Sequence, residues 1–250
     1  MDEQATVEDI DILTEEAFED SAFDRLQLRK RMWNDLVEGR AELLCRTCPY
    51  GKVLIICQKG MPLGISWSLW GRILQGFVTR KNPVRICWFA SEVLRILPDA
   101  PHVKPEHVNG GYTFPCELHA VVIYRKEEAT RVLIHELLHA TCTDNPRAPV
   151  EKKETATETY AELFLIAYAS KGSQKLARKL WALQAKWIAE QNYNLRHYYD
   201  VTDMSKYAAR YTIGREEELR SLGIELPPPQ SKARNLSSRF TSRELDKYLL

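Results

Sequence analysis

The chain of 250 residues contains no run of eighteen or more apolar residues, so a membrane span is not expected. Its first 24 residues contain no Lys or Arg and therefore lack the basic-then-apolar profile of a secretory signal peptide. Its six cysteines are scattered, without the spacing of a disulfide framework. Together these absences predict reduced thiols and a cytoplasmic location, with the nucleus as the alternative.

Acidic side chains are concentrated at the start of the chain. Residues 1–24 contain ten Asp or Glu, whereas the remaining residues hold all 35 Lys and Arg beside 24 acidic side chains. We therefore expect an acidic, disordered leader on a basic body. An acidic partner for that basic body is the alternative explanation. Because Lys and Arg form no dense cluster, a nucleic-acid partner is not expected.

Hydrophobic patterning predicts strands in the N-terminal half of the chain. Short apolar runs indicate strands at Val53–Cys57, Pro83–Ala90 and His119–Tyr124. Leu, Met and Trp among charged residues predict a helix over residues 25–45, and a short helix is expected around residues 91–97.

The C-terminal half is predicted to be mainly helical. Helices are expected over residues 125–141, 150–170, 173–193 and 203–221. The chain should therefore adopt an α+β fold with a small mixed or antiparallel sheet, whose edge strand precedes the helix over residues 125–141.

Three segments are expected along the chain. Residues 1–24 form the leader, residues 25–225 form one folded domain, and residues 226–250 form a Pro-rich linker with a basic tail. Three consecutive prolines at positions 227–229 should stiffen that linker.

The most informative motif is His135-Glu136-Leu137-Leu138-His139. Histidines four residues apart on a helix lie one turn apart on the same face, where two imidazole nitrogens can bind one Zn²⁺. Glu136 follows the first histidine and can act on a water molecule beside the metal. Apolar neighbours predict that the helix is buried, so its polar face needs a partner.

Eighteen residues separate His139 from Glu158. This H-E-x-x-H spacing to a glutamate resembles the gluzincin family of zinc metallopeptidases. The resemblance implies one Zn²⁺ per chain, bound by His135, His139 and Glu158, with Glu136 as the general base. It also implies that the strand before the motif helix is the edge strand that binds a peptide substrate, and its residues would be Val121, Val122 and Ile123.

The third metal ligand has two rivals on the predicted helix over residues 150–170. Glu154, Glu158 and Glu162 stand at i, i+4 and i+8, on one face of that helix. Glu158 has the family spacing, whereas Glu162 would orient a histidine from outside the ligand shell. Glu154 is the alternative ligand.

A peptidase of this type also needs a donor that stabilises the oxyanion. Gluzincins often use a Tyr or a His for this purpose, and here Tyr199 and His197 are the candidates, with Tyr207 and Tyr211 as further ones. The leading hypothesis is therefore a zinc metallopeptidase that acts on peptides or proteins. The alternative is a catalytically inactive, zinc-stabilised binding or scaffold protein with the same core.

Overall fold

The chain forms two units that alternate along the sequence in a computed structural model, which describes residues 2–99 and 102–250. The first unit comprises the described residues up to Leu94 together with Asn109–Thr143. The second comprises the described residues from Arg95 to Val108 and from Asp144 to Leu250. The predicted domain over residues 25–225 therefore corresponds to parts of both units.

The fold is α+β, as predicted, with a small mixed sheet and a helical C-terminal half. In chain order the strands are β1 (Asp2–Glu3), β2 (Ala41–Cys48), β3 (Gly51–Gln58), β4 (Val84–Phe89), β5 (Gly111–Thr113) and β6 (Val121–Ile123). The helices are α1 (Val7–Phe18), α2 (Leu28–Val37), α3 (Trp67–Phe77), α4 (Pro105–Val108), α5 (Ala129–Ala140), α6 (Val150–Ala169), α7 (Gln174–Tyr198), α8 (Ile213–Ser221) and α9 (Asp246–Leu249).

Among the residues that the structure describes, all six strands belong to the first unit, in the order β1-β2-β3-β4-β6-β5. The central pairs β3–β4 and β4–β6 are parallel, whereas β2–β3 and β5–β6 are antiparallel. Side chains alternate between the two faces of a sheet. Cys87 and Phe89 of β4 therefore pack in the core beneath α1 and α2, whereas Trp88 packs against Trp70 of α3.

The prediction of a disordered acidic leader is wrong, because α1 lies within residues 1–24. Thr6 and Asp9 form a capping box at its start, in which the amide of Asp9 donates to Thr6 Oγ1 at 3.2 Å and the amide of Thr6 donates to Asp9 Oδ2 at 2.8 Å. Ile12 and Leu13 are buried in the core of the unit. Glu8, Asp11 and Glu15 are exposed whereas Asp9 and Glu16 are buried beside Ile12 and Leu13, so the helix is amphipathic despite its charge.

Arg29 links the segment between α1 and α2 to β5, the last strand in the order of the sheet. Its guanidinium donates to the Asp24 carboxylate at 3.2 Å and to the Glu19 carbonyl at 2.8 Å, and it also contacts the hydroxyl of Tyr112 on β5. Tyr112 donates to the carboxylate of Glu16. Burial raises the pKa of Glu16 above its usual value, although the bond from Tyr112 opposes the shift.

The second unit is helical, and its core includes the end of the chain. Leu195, Ile213 and Phe240 are buried in one cluster, and Gln184 of α7 donates to the Phe240 carbonyl at 2.8 Å. The prediction that residues 226–250 form only a linker and a basic tail is therefore wrong. Within residues 2–99 and 102–250, no helix has both the length and the apolar character that crossing a membrane requires.

Candidate metal centre

Helix α5 carries the H-E-x-x-H motif and is buried along all twelve of its residues. It begins at Ala129, four residues later than predicted, because Glu128 adopts a left-handed conformation with φ of 60°. The preceding strand β6 lies inside the sheet between β4 and β5. The short connection from β6 to α5 therefore places the motif beside the sheet, where α5 contacts β5 and β6. Burial on this scale means that the polar side chains of the helix need partners.

His135 and His139 face each other across one turn of α5. Their Nε2 atoms are 3.2 Å apart and their rings are nearly perpendicular, at 80°. Two nitrogens bound tetrahedrally to one Zn²⁺ at about 2.0–2.1 Å stand about 3.3–3.4 Å apart. The distance between the two nitrogens is therefore compatible with two ligands of one Zn²⁺, and imidazole nitrogen is a donor that zinc accepts.

Glu136 lies against strand β5, the last strand of the sheet. A Cβ atom added to Gly111 would be 3.1 Å from Glu136 Oε1, so the strand approaches the carboxylate closely because it has no side chain there. The predicted substrate edge strand, Val121–Ile123, is wrong, because β6 pairs with β4 on one side and with β5 on the other. The edge nearest the motif is instead β5, within the described part of the chain.

Replacing Gly111 with alanine is expected to destabilise the first unit. The added Cβ would lie 2.6 Å from Val132 Cγ1 and 2.7 Å from the Val122 carbonyl oxygen. We expect overpacking to lower the free energy of unfolding by about 1–3 kcal/mol, as measured by urea denaturation. Gly71→Ala is the matched control, since nothing lies within 4 Å of its added Cβ, and it should raise stability by about 0.5–1 kcal/mol. Equal stability of the two variants would contradict this close packing.

The C-terminal end of α5 is closed by a Schellman motif. Thr143 donates to the Leu138 carbonyl at 3.0 Å, and Cys142 donates to the His139 carbonyl at 3.1 Å. Cys142 occupies the left-handed position that glycine usually takes, with φ of 54°. It also forms a disulfide with Cys116, with a Cα–Cα distance of 4.7 Å. The prediction of reduced thiols is therefore wrong for this pair, whose two cysteines are distant in sequence but adjacent in the fold.

The three candidate glutamates lie on α6, in the second unit. Glu158 is 3% exposed and Glu154 is half-buried, whereas Glu162 is fully buried and accepts a hydrogen bond of 3.0 Å from Arg215. Burial raises the pKa of Tyr211 above its usual value, and the negative charges of Glu154 and Glu158 raise it further. Arg215 thus explains the burial of Glu162, and the role of Glu162 toward a histidine stays a prediction.

The two residues first predicted as oxyanion donors have other neighbours in the second unit. Tyr199 is buried in its core, and its hydroxyl accepts a hydrogen bond of 3.3 Å from Arg234. His197 is exposed and stacks on Tyr193 at 5.4 Å between ring centroids. Their role in catalysis stays a prediction, whereas Tyr207 and Tyr211 lie on a 3₁₀-helix that packs against α6.

Gly111 and the disulfide were not recognised in the sequence. The Asn109-Gly110-Gly111 run resembles a turn, and only the contact with α5 reveals a strand there. His135, Glu136 and His139 belong to the first unit and the α6 glutamates to the second, so a metal site that combines them is a proposal. The chain was compared with protein-family models, with curated proteins and with solved structures, and none of them matches it.

Proposed function

We propose that the protein is a zinc-dependent hydrolase, specifically a metallopeptidase of gluzincin type. His135, His139 and a carboxylate of α6 would hold one Zn²⁺, with Glu158 as the first choice by its spacing. Glu136 would be the general base. The observation that carries the proposal is the 3.2 Å separation of the two histidine Nε2 atoms beside a buried glutamate at a sheet edge.

A bound Zn²⁺ would lower the pKa of a water molecule toward about 7 and polarise the scissile carbonyl. Glu136 would then accept the proton of the attacking water and deliver it to the leaving amine. Its low exposure of 5% supports this role, because a buried carboxylate beside the metal can act on the attacking water away from bulk solvent. A site that only stabilised the fold would have no use for such a base.

The substrate class follows from strand β5. Its backbone pairs with β6 on one side only, among the residues described, and its Gly111 lies against Glu136. An extended peptide could add to β5 as a further strand, which would bring a peptide bond toward the general base. A peptide or unfolded protein segment is therefore the substrate that this arrangement favours.

Zinc content is the direct test of the site. We expect about one zinc per chain in the wild-type protein and none in His139→Ala, as measured by elemental analysis after dialysis. His102→Ala is the control, because this histidine is exposed and lies outside the motif. Absence of zinc from the wild-type protein after reconstitution would eliminate the hydrolase proposal. Zinc binding without cleavage of any peptide in a library would instead support the inactive scaffold.

The third ligand can be identified by comparing glutamates on α6. We expect Glu158→Gln to weaken zinc binding by more than about 100-fold, because the loss of a ligand should exceed the effect of a residue outside the ligand shell. Glu151→Gln, in the first turn of the same helix, should leave the affinity unchanged. Affinity would be measured by competition with a chelator. A large loss in Glu154→Gln instead would assign the ligand to Glu154.

Location and partners also belong to the proposal. Four cysteines (Cys45, Cys48, Cys57 and Cys87) are free whereas Cys116 and Cys142 form a disulfide, and a cytoplasmic location, with the nucleus as the alternative, stays part of the proposal. An acidic partner for the basic residues of the chain remains part of the proposal as well.

A further inference from the structure

The disulfide between Cys116 and Cys142 joins the loop after β5 to the end of α5. Both cysteines are exposed, unlike most of the other cysteines of the chain. The other cysteines of the chain differ from this pair. Cys45, Cys57 and Cys87 are buried, and burial raises the pKa of each of their thiols, to about 11 for Cys57. Thiol–disulfide exchange is therefore disfavoured at these three buried thiols, whereas Cys48 is a free cysteine of intermediate burial.

Both half-cystines are held in an unfavourable backbone conformation. The φ angle is 65° at Cys116 and 54° at Cys142, in the left-handed region that residues with a side chain rarely adopt. Strained and exposed disulfides are the ones that are reduced most easily. Reduction would allow the loop after β5 to leave this conformation.

Both cysteines of the disulfide contact His139, a predicted metal ligand. The amides of Cys116 and Cys142 both donate to the carbonyl oxygen of His139, at 2.9 and 3.1 Å. One of these bonds belongs to the helix cap, whereas the other comes from the loop that the disulfide holds in place. Release of the loop would remove the second bond and loosen the last turn of α5, which carries His139.

A cavity of about 550 Å³ opens beside the disulfide. Its lining includes both half-cystines together with Phe77, Asn82, Leu118 and His119. All of these residues belong to the first unit. A cavity of this size has room for a small thiol beside the two cysteines.

We propose that Cys116–Cys142 is a redox switch that exchanges with a dithiol reductant and sets the rigidity of the last turn of α5. One thiolate of the reductant attacks one sulfur of the pair and forms a mixed disulfide, while the other cysteine leaves and takes up a proton. The second thiol of the reductant then displaces the remaining cysteine. The chain gains two electrons and two protons, and the reductant becomes a disulfide. The consequence for zinc rests on the proposed function, whereas the switch itself does not.

The test uses the full chain equilibrated with defined ratios of reduced to oxidised dithiothreitol. Labelling with a maleimide after denaturation should find four thiols in the oxidised protein and six in the reduced one. Hydrogen exchange at the amides of Cys116, Cys142 and Thr143 should be about tenfold or more faster in the reduced protein, because local opening there loses its covalent restraint. Zinc affinity, measured by chelator competition, should be weaker in the reduced protein.

Two variants separate the switch from other effects. Cys116→Ser with Cys142→Ser should show fast exchange at every dithiothreitol ratio, whereas Cys48→Ser should respond as the wild type does. If the double variant does not fold, the oxidised and reduced wild-type proteins still provide the comparison. Six thiols at every ratio, or identical exchange in the two states, would overturn the switch. A redox response of the exchange rates without zinc binding in either state would overturn the proposed function alone.

Discussion

Replacement of Glu136 by glutamine is expected to leave zinc bound and to reduce peptide hydrolysis by about 10²- to 10⁴-fold. Glutamine has nearly the same shape as glutamate but cannot accept the proton of the attacking water. Because the two side chains have nearly the same shape, the substitution should preserve the packing around Glu136, which lies against Gly111 and is 5% exposed. The measurement is kcat on a cleaved library peptide, together with zinc content by elemental analysis.

The control for this experiment is Glu127→Gln, which changes a carboxyl group in the segment before α5. It should retain full zinc content and nearly full activity. If Glu136→Gln hydrolysed peptides as fast as the wild-type protein does, Glu136 would not be the general base. Loss of zinc in that variant would instead indicate that Glu136 supports the metal.

Replacement of Arg215 by leucine is expected to lower the free energy of unfolding by about 3–5 kcal/mol. Arg215 and Glu162 are both fully buried and their charged atoms are 3.0 Å apart. Arg215 also donates to Gln191 of α7 at 3.0 Å, so it joins three helices of the second unit. Removing the arginine would take from the buried Glu162 carboxylate the positive charge and the hydrogen bond of Arg215. Urea denaturation followed by circular dichroism would measure the loss.

Two further variants define the origin of that loss. Arg215→Leu combined with Glu162→Leu should recover much of the stability, because both buried charges are then absent. Arg220→Leu breaks the exposed pair with Glu216, at 3.2 Å, and should cost less than about 1 kcal/mol. A small effect of Arg215→Leu by itself would mean that the pair contributes little to the unit.

Several helices could be predicted from the sequence because their apolar residues recur at helical spacing. The predicted helix over residues 150–170 matches α6 within one residue, and the predicted helix over residues 173–193 matches the start of α7. For the same reason the two histidines of the motif were placed correctly on one helix face. Their 3.2 Å separation confirms that placement.

The predictions of secondary structure were wrong where the local sequence has no clear hydrophobic periodicity, and where an element is defined by contacts between segments that are distant in sequence. The helix predicted over residues 25–45 ends at Val37, because Gly39 turns the chain with φ of 77° and β2 follows. The helix expected around residues 91–97 is absent from that described stretch. Strand β5 has only three residues, and it is defined by pairing with β6 rather than by its own sequence.

The candidate site likewise has a part that could be predicted from the sequence and a part that could not. His135, Glu136 and His139 form a local motif, which a single sequence can reveal. The contact of Gly111 with Glu136 and the pairing of Cys116 with Cys142 join residues that are 25 and 26 positions apart. Such pairs depend on the tertiary fold, and the hydrophobic periodicity of the sequence does not predict them.

The alternation of the two units along the chain has a consequence for folding during synthesis. The first unit can fold once residue 143 has left the ribosome. Arg125 donates to the carbonyls of Val93 and Asn109, at 2.7 and 2.9 Å, which lie where the chain leaves the first unit and where it re-enters it. The core of the second unit must wait longer, because Leu97 and Val108 pack with Phe240. Residues of the early segment therefore remain exposed until translation is nearly finished, and a nascent chain stalled before Phe240 should be a substrate for chaperones.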